Sequence, residues 1–397
     1  MQVSRHSNLG HLTYCTNIHP AETWPETLAL LRQHLPAIRE NVAPRRRFGL
    51  GLRLAASAAE ALSEDAAMAE FEDFLAAQKT YVFTLNGFPY GSFHGRRVKE
   101  QVYAPDWSTP DRLTYTNRLA DILARLLPAD MIGSVSTVPG TFRPWSDGRV
   151  DAIAGNLIRH CAKLVDIRER TGRTIALALE PEPRCLLETI EETIVFFETQ
   201  LYGDKAVSQL CALTGFSRTA AAEALRRHLG VCYDVCHAAV EFEDPRGSLD
   251  ALRRTGISIP KLQLSAALKV EKVNGDSAGH LAPFDEPVYL HQVVANSGAG
   301  LARYSDLPEA LAHIEKEMGS EWRIHFHVPI FLDHMEHFST TQDFLREILA
   351  LHREQPISEH LEVETYTWDV LPKTYRDVPV STAIGRELGW VVGQLHS

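Results

Sequence analysis

Residues 174–183 read TIALALEPEP and residues 229–237 read LGVCYDVCH, and these two stretches decide the fold class. Each is a short apolar run that ends in a carboxylate, Glu180 or Asp234. Two prolines break the first run, and the second is followed by a turn out of the strand. Short apolar runs are typical of strands that are buried on both faces, as in parallel sheets. Both stretches therefore predict a parallel strand with an acidic side chain at its carboxyl end.

The same pattern recurs along the chain and alternates with longer helix-like runs. The predicted strands cover residues 9–17, 48–54, 81–86, 132–138, 175–180, 231–235, 261–265, 323–328 and 361–366. The predicted helices cover residues 22–40, 63–78, 110–127, 150–169, 191–200, 219–228, 307–318 and 341–352. Eight strand-helix units commonly close into a parallel barrel of about 250 residues plus loops. We therefore predict an α/β fold, a (β/α)8 TIM barrel with long loops after its strands and one supernumerary strand.

The sequence does not identify the strand that lies outside the barrel; the first run and each of the last three are candidates. Such a strand is expected to be unable to direct side chains at the barrel centre. Long loops are predicted at residues 87–109, 139–148, 201–217, 238–247, 266–303 and 329–340. A doubly wound open sheet is the alternative fold, but no glycine-rich dinucleotide-binding or P-loop motif is present.

No low-complexity linker divides the chain, so we expect a single domain over residues 1–397. The barrel core should span about residues 9–372, and residues 373–397 should be a C-terminal extension, either a sealing helix or a contact arm.

Composition and charge exclude several classes of protein. With 45% hydrophobic residues in 397, the chain can bury a large core. The net charge is −11 and no basic run is long, so we expect no nucleic-acid partner. No apolar stretch approaches the roughly 20 residues of a membrane span, and no signal core is evident at the start. The six scattered cysteines suit reduced thiols, and we expect a cytoplasmic protein.

Polar side chains at the carboxyl ends of parallel strands converge on one mouth of a barrel, which makes them candidates for function. His325 and His327 lie on one face of their strand and are costly to bury without partners. Together the strand-end donors form a nitrogen and oxygen set suited to one divalent ion, Mn²⁺, Mg²⁺, Co²⁺ or Zn²⁺. The candidate ligands are Glu180, Asp234, Gln263, His325, His327 and Glu364.

Glu362 and Glu364 share a strand face and cannot both point inward without a cation. We expect Glu362 to pair with a lysine or arginine outside the barrel, and Glu364, nearer the strand end, to face the ion or substrate. Cys232 and Cys236 are expected to be core thiols, because their spacing is not that of a zinc knuckle.

Further residues are candidates for substrate binding. Asn86 begins the turn NGFPYG, whose rings are expected to be exposed and to offer a substrate wall. Arg53, Arg143 and Arg184 lie near predicted strand or loop openings, where they are candidates for pairing with a phosphate or carboxylate.

Seven strings follow one another over roughly residues 9–372: LTYCTNIHP, YVFTLNGFPYG, STVPG, LALEPEP, CYDVCH, HFHVP and LEVETYTWDVLP. In this order they resemble the EboE-type metabolite-traffic proteins, a branch of the xylose-isomerase-like TIM barrels. In sugar isomerases and epimerases of that superfamily, the corresponding positions ligate a divalent metal. The resemblance implies Glu180, Asp234 and Glu364 as ligands, with His237 beside them.

The chain departs from that pattern in two places. Gln263 stands where many relatives have a histidine or aspartate ligand, which implies weaker metal binding. The HFHVP strand is an addition before the last glutamate strand, so the final ligand is either His325 or His327 on one interpretation and Glu364 on the other.

The leading hypothesis is a metal-dependent isomerase or epimerase acting on a sugar- or cyclitol-like metabolite, phosphorylated or not. Glu180 and Glu364 would move the proton, and His237 would orient a substrate hydroxyl or a ligand. The resemblance implies a secondary-metabolite pathway with partner proteins. Two alternatives stay open: a metal-dependent hydrolase or phosphodiesterase, and a non-catalytic protein that binds a metabolite or hands it to partners. A homodimer is also left open.

Overall fold

The structure is a computed structural model of the chain and describes residues 1–3, 8–376 and 378–396. The strands are β1 (His11–Tyr14), β2 (Phe48–Arg53), β3 (Thr80–Asn86), β4 (Gly133–Thr137), β5 (Ile175–Leu179), β6 (Leu229–Asp234), β7 (Lys261–Leu264), β8 (Ala267–Val270), β9 (Val293–Asn296), β10 (Leu301–Tyr304), β11 (Glu321–His327), β12 (His334–Met335), β13 (Phe338–Thr340) and β14 (His360–Val363). The α-helices are α1 (Trp24–Val42), α2 (Ala56–Leu62), α3 (Asp65–Ala77), α4 (Pro110–Leu126), α5 (Val150–Thr171), α6 (Ile190–Phe196), α7 (Asp204–Thr214), α8 (Arg218–His228), α9 (Val235–Val240), α10 (Pro245–Thr255), α11 (Ser277–Leu281), α12 (Leu307–Ala312), α13 (Gln342–Glu354) and α14 (Val380–His396).

Strands β1–β7 and β14 form a parallel sheet that curls into a nearly closed barrel. The order along the sheet is β1-β14-β7-β6-β5-β4-β3-β2, and a parallel bridge between Cys15 and Gly51 joins its two edges. Strands that follow one another in the barrel are therefore neighbours, and helices connect them, as in a (β/α)8 barrel. The predicted TIM-barrel fold is confirmed.

The supernumerary strand is β11, which corresponds to the predicted strand at residues 323–328. It lies in a second, antiparallel sheet of order β10-β9-β11-β8-β13-β12, which is inserted between β7 and β14. The predicted loops at 266–303 and 329–340 are therefore wrong, because they contain strands of this sheet. Most of these strands have two to four residues, too few to show a period-two pattern in the sequence.

Two other predicted loops are also wrong. Residues 201–217 contain α7, which ends at Gly215 in the left-handed conformation (φ 75°), and residues 238–247 hold the end of α9 and the start of α10. The C-terminal extension is a helix rather than an arm: α14 packs against α1 and α13. Among the described residues, no helix is both long and apolar enough to cross a membrane.

Candidate metal centre

The ends of β5 and β6 position the first two carboxylates. Glu180 directly follows β5, and its N–H donates to the carbonyl of Thr137 on β4 (3.1 Å), which holds it beside the neighbouring strand. Asp234 ends β6 and caps α9, where its Oδ1 accepts from the N–H of His237 (3.0 Å) and from the hydroxyl of Ser265 (2.7 Å). Oε2 of Glu180 and Oδ2 of Asp234 have no hydrogen-bond partner among the described residues, so both oxygens are available to a ligand.

Glu364 joins them from the end of β14. Its Oε1 accepts from the side-chain amides of Asn17 (2.7 Å) and Asn86 (2.9 Å). Glu180, Asp234 and Glu364 are buried, and each has an oxygen within 4.8 Å of an oxygen of the other two. The three carboxylates predicted at the strand ends are therefore brought together.

The electrostatics of this cluster are unfavourable without a cation. Burial and the nearby carboxylates of Glu364 and Asp234 raise the pKa of Glu180 well above its ordinary value, although Lys261 opposes them. Burial, Asp234 and Glu362 raise the pKa of Glu364 in the same way. In addition, Oε2 of Glu180 and Oδ2 of Asp234 are buried with no hydrogen-bond partner among the described residues. Buried oxygens of this kind suit a divalent cation, and these residues fit one.

A buried ion pair lies next to the cluster. Nζ of Lys261 on β7 is 2.7 Å from Oε1 of Glu362 on β14, and both side chains are fully buried. Burial opposes the charge of Lys261, but the Glu362 carboxylate raises its pKa above the ordinary value. The prediction that Glu362 pairs outside the barrel is wrong. A methyl group at Gly51 on β2 would overlap the carboxylate, so glycine there leaves the space that lets Glu362 point inward.

The histidines of the inserted sheet reach the same region. Nε2 of His325 lies 3.1 Å from Nε2 of His237 and 3.2 Å from Nε2 of His327. Asp234, His237 and His327 have ligand atoms within 4.8 Å of one another. The expectation that a strand outside the barrel cannot direct side chains at its centre is therefore wrong. The inserted sheet contacts the barrel end directly, since Nδ1 of His327 bonds the Glu364 carbonyl oxygen (2.9 Å).

Gln263 lies on β7, in register with Asp234 on one side and Glu362 on the other. Its side chain is fully buried, and neither amide atom has a hydrogen-bond partner among the described residues. The amide oxygen therefore has no partner among the described residues, but Gln263 is not part of the lining of the cavity beside the carboxylates. Its role as a metal ligand stays a prediction.

A small cavity that opens to solvent lies against the cluster. Its lining includes Asn86, the predicted substrate-binding residue of the NGFPYG turn. Phe88 in the same turn also lines the cavity and is buried, so the prediction of exposed rings does not hold for it. The other polar residues of the lining are Asn17, Lys99, Tyr103, Glu180, Glu182, His237, Tyr289, His325, Glu364 and Tyr366.

The three arginines predicted to bind substrate are not part of this lining. Arg53 is buried, and its guanidinium donates to the carbonyls of Ala21 (2.8 Å) and Gly91 (2.5 Å). Arg143 pairs with two glutamates of the α6 region, and Arg184 donates to Ser305 (3.2 Å). The structure gives each guanidinium a protein partner, and their predicted roles stay untested.

Two residues at the site, Glu182 and Asn17, were not predicted from the sequence, and a third, Cys236, was predicted to have another role. Glu182 is buried, lines the cavity and accepts from the Tyr103 hydroxyl (2.7 Å), and burial raises its pKa. The second Glu-Pro pair in EPEP (residues 180–183) is the feature of the sequence that points to Glu182. Asn17 holds Glu364 and lies in the string CTNIHP. Cys236, expected to be a core thiol, has its sulfur within 4.8 Å of donors of His325 and His327.

The chain is similar to several solved structures. A D-tagatose 3-epimerase-like protein is 11% identical, with 97% of this chain and 98% of that chain covered and a TM-score of 0.48. The probable 3-DHS dehydratase AsbF from Bacillus anthracis, involved in petrobactin synthesis, is 12% identical, with 96% and 97% covered and a TM-score of 0.47. The IOLI protein with a binding zinc atom is 14% identical, with 97% and 98% covered and a TM-score of 0.44.

No protein-family model matches the chain, and no curated protein matches it. At these identities and TM-scores, the similarities carry no information about which side chains act in this chain. The resemblance to the EboE-type branch stays a prediction.

Proposed function

We propose that the chain is a divalent-cation-dependent isomerase or epimerase of a sugar- or cyclitol-like polyol. The observation that carries the proposal is the cluster of Glu180, Asp234 and Glu364 beside a cavity, with ligand oxygens within 4.8 Å of one another. A divalent cation bound there supplies a Lewis acid that polarises a carbonyl group and an adjacent hydroxyl.

The protein's own residues supply the proton transfer. Burial beside other carboxylates raises the pKa of Glu180 and the pKa of Glu364, and these two carboxyl groups are the candidates to take up and return the proton. Asn17 and Asn86 bond the same oxygen of Glu364 and hold the carboxylate in one orientation. His237 lines the cavity, where it orients a substrate hydroxyl or a ligand.

The lining of the cavity favours a polyol. Carboxylates and amides offer hydrogen-bond partners for hydroxyl groups, and aromatic side chains offer flat apolar surfaces for carbon–hydrogen faces. The aromatic members are Phe88, Phe93, Tyr103, Tyr289 and Tyr366. Because Arg53, Arg143 and Arg184 have partners elsewhere, the unphosphorylated compound is the better candidate. The place in a secondary-metabolite pathway rests on the sequence resemblance alone.

The test is solvent-deuterium exchange. The full chain, loaded with Mn²⁺ or Co²⁺, is incubated in D₂O with ketoses, aldoses and cyclitol ketones, free and phosphorylated, and spectra are recorded by NMR. We expect deuterium at the carbon next to the carbonyl group of at least one compound. Glu180→Gln should abolish this exchange without loss of the folded state, because the amide cannot accept the proton and is a weaker ligand for the cation than the carboxylate.

A matched control is Glu317→Gln. Glu317 is also buried but accepts from the hydroxyl of Tyr304 (2.7 Å) and is not part of the cavity lining. Its replacement should leave the exchange intact. Full exchange in Glu180→Gln would refute the assignment of Glu180.

The second candidate function is a metal-dependent hydrolase, and one observation favours it: three histidine nitrogens lie beside the carboxylates. Release of phosphate from small esters, with no deuterium exchange in any polyol, would select the hydrolase. Bound metal without turnover in either assay would instead favour the binding protein that hands over a metabolite.

A further inference from the structure

The hydrogen bonds of three buried histidines fix which ring nitrogen carries the hydrogen. Nδ1 of His237 lies 2.9 Å from the carbonyl oxygen of Pro181, and Nδ1 of His327 lies 2.9 Å from the carbonyl oxygen of Glu364. A backbone carbonyl oxygen can only accept a hydrogen bond. Nδ1 is therefore the donor in both rings.

His325 has the same arrangement through a side-chain amide. Its Nδ1 lies 2.7 Å from Oε1 of Gln292. The orientation of that amide is set by its other end, since Nε2 of Gln292 donates to the Pro183 carbonyl oxygen (3.1 Å) and the Tyr103 hydroxyl (2.9 Å). Oε1 therefore faces His325, and Nδ1 of His325 is also a donor.

With hydrogen on Nδ1, each neutral ring presents a lone pair at Nε2. Nε2 of His325 nevertheless lies 3.1 Å from Nε2 of His237 and 3.2 Å from Nε2 of His327. Lone pairs at this separation repel one another unless a cation lies between them.

We infer that Nε2 of His237, Nε2 of His325 and Nε2 of His327 form a second cation site, next to the carboxylate site and selective for Zn²⁺ or a similar borderline ion.

The dimensions of the three-histidine site fit such an ion. Zinc–nitrogen bonds of 2.0–2.1 Å in a tetrahedron place the donors roughly 3.3 Å apart, close to the 3.1 and 3.2 Å that separate Nε2 of His325 from Nε2 of His237 and from Nε2 of His327. A ring nitrogen of His237 and one of His327 lie within 4.8 Å of each other. Histidines that bind metals typically donate their other N–H to a carbonyl or carboxylate, as all three do here. The sulfur of Cys236 and Oδ2 of Asp234 are the candidates for the fourth ligand atom.

The two sites have different donor atoms and should prefer different ions. Imidazole nitrogens suit Zn²⁺, whereas carboxylate oxygens suit Mn²⁺ and Mg²⁺. Asp234 belongs to both groups of ligand atoms and would connect the sites. The chain would then hold two cations instead of the one that the sequence predicts. This inference does not depend on the proposed isomerase activity, and its test needs no substrate.

The test is a count of bound metals. Full-length protein without a polyhistidine tag is stripped with a chelator, loaded with one equivalent of Zn²⁺ and then with excess Mn²⁺, and dialysed for elemental analysis. We expect about one zinc and one manganese per chain. His325→Gln should lose the zinc and keep the manganese. Glu180→Gln should lose the manganese and keep the zinc.

The matched control is His337→Gln. His337 stacks on His280 at 3.7 Å between ring centroids, outside the barrel mouth, and this pair is an alternative place for adventitious zinc. Its replacement should leave both metal counts unchanged. The inference would be overturned if this control lost the zinc. It would also be overturned if the wild type held a single ion that is lost in both His325→Gln and Glu180→Gln.

If His325→Gln does not fold, the visible absorption spectrum of wild-type protein loaded with Co²⁺ tests the inference instead. Tetrahedral Co²⁺ with nitrogen ligands absorbs far more strongly in the visible region than octahedral Co²⁺ with oxygen ligands. Wild-type protein loaded with Co²⁺ should show the intense band, and Zn²⁺ added in competition should remove it. If the wild type shows the weak octahedral spectrum and no intense band, the inference is overturned.

Discussion

Replacement of Lys261 by methionine should destabilise the protein strongly, because Lys261 is the partner of a carboxylate inside the barrel. Its Nζ lies 2.7 Å from Oε1 of Glu362, with both side chains fully buried, and 3.2 Å from the hydroxyl of Ser136. Methionine fills a similar volume but has no charge, so Lys261→Met leaves the Glu362 carboxylate in the barrel interior without its cation.

The size of the effect follows from the distance. Two unit charges 2.7 Å apart attract by about 6 kcal/mol at an effective dielectric constant of 20. The measured loss when a buried pair is broken is smaller, about 3–5 kcal/mol, because the surroundings relax and water enters. We expect Lys261→Met to lower the free energy of unfolding by that amount.

The assay is urea denaturation of the wild type, Lys261→Met, Glu362→Gln and the double variant in one buffer. Each single variant leaves one unpaired charge, whereas the double variant leaves none, so its loss should be clearly smaller than the sum of the single losses. A loss below about 1 kcal/mol in Lys261→Met, or single losses that add in the double variant, would refute the reasoning.

The remaining predictions concern three other sites. Asn86→Ala removes one of the amides that hold Glu364, and it should weaken Mn²⁺ binding about 10- to 100-fold by titration calorimetry; unchanged affinity would refute this. Gly51→Ala should abolish folding or lower the urea midpoint sharply, because a methyl group overlaps the Glu362 carboxylate; an unchanged midpoint would contradict the interior position of that group. Burial raises the pKa of Glu387 to about 7, so the native state keeps a proton that the unfolded state loses above about pH 4.5. Stability of the wild type should therefore fall as the pH rises from about 4.5 to 7 relative to Glu387→Gln, and parallel pH profiles of the two proteins would refute the assignment.

The barrel could be predicted from the sequence because its strands are continuous apolar runs. The runs at residues 48–54 and 175–180, for example, correspond to β2 and β5 within one residue at their ends. The inserted sheet could not be predicted in the same way. Five of its six strands have four residues or fewer, and their pairing depends on contacts between segments far apart in the chain.

The candidate site was predictable where a charged residue ends an apolar strand, as Glu180 and Asp234 do. Features that depend on long-range packing were not. Glu362 on β14 points inward because Gly51 on β2 leaves space for its carboxylate and because Lys261 on β7 pairs with it. The approach of His325 to His237 likewise joins two segments that are separated by 88 residues.

The central claim is that the strand ends form a metal centre, and Asp234→Asn tests it most directly. Asp234 belongs to both groups of ligand atoms, and the asparagine oxygen can still accept from the N–H of His237, so the cap of α9 is kept. Elemental analysis of tag-free protein should find divalent metal in the wild type and in the half-buried control Asp250→Asn on α10, and much less in Asp234→Asn. Wild-type protein that holds no metal after reloading with Mn²⁺, Co²⁺ or Zn²⁺ would contradict the account.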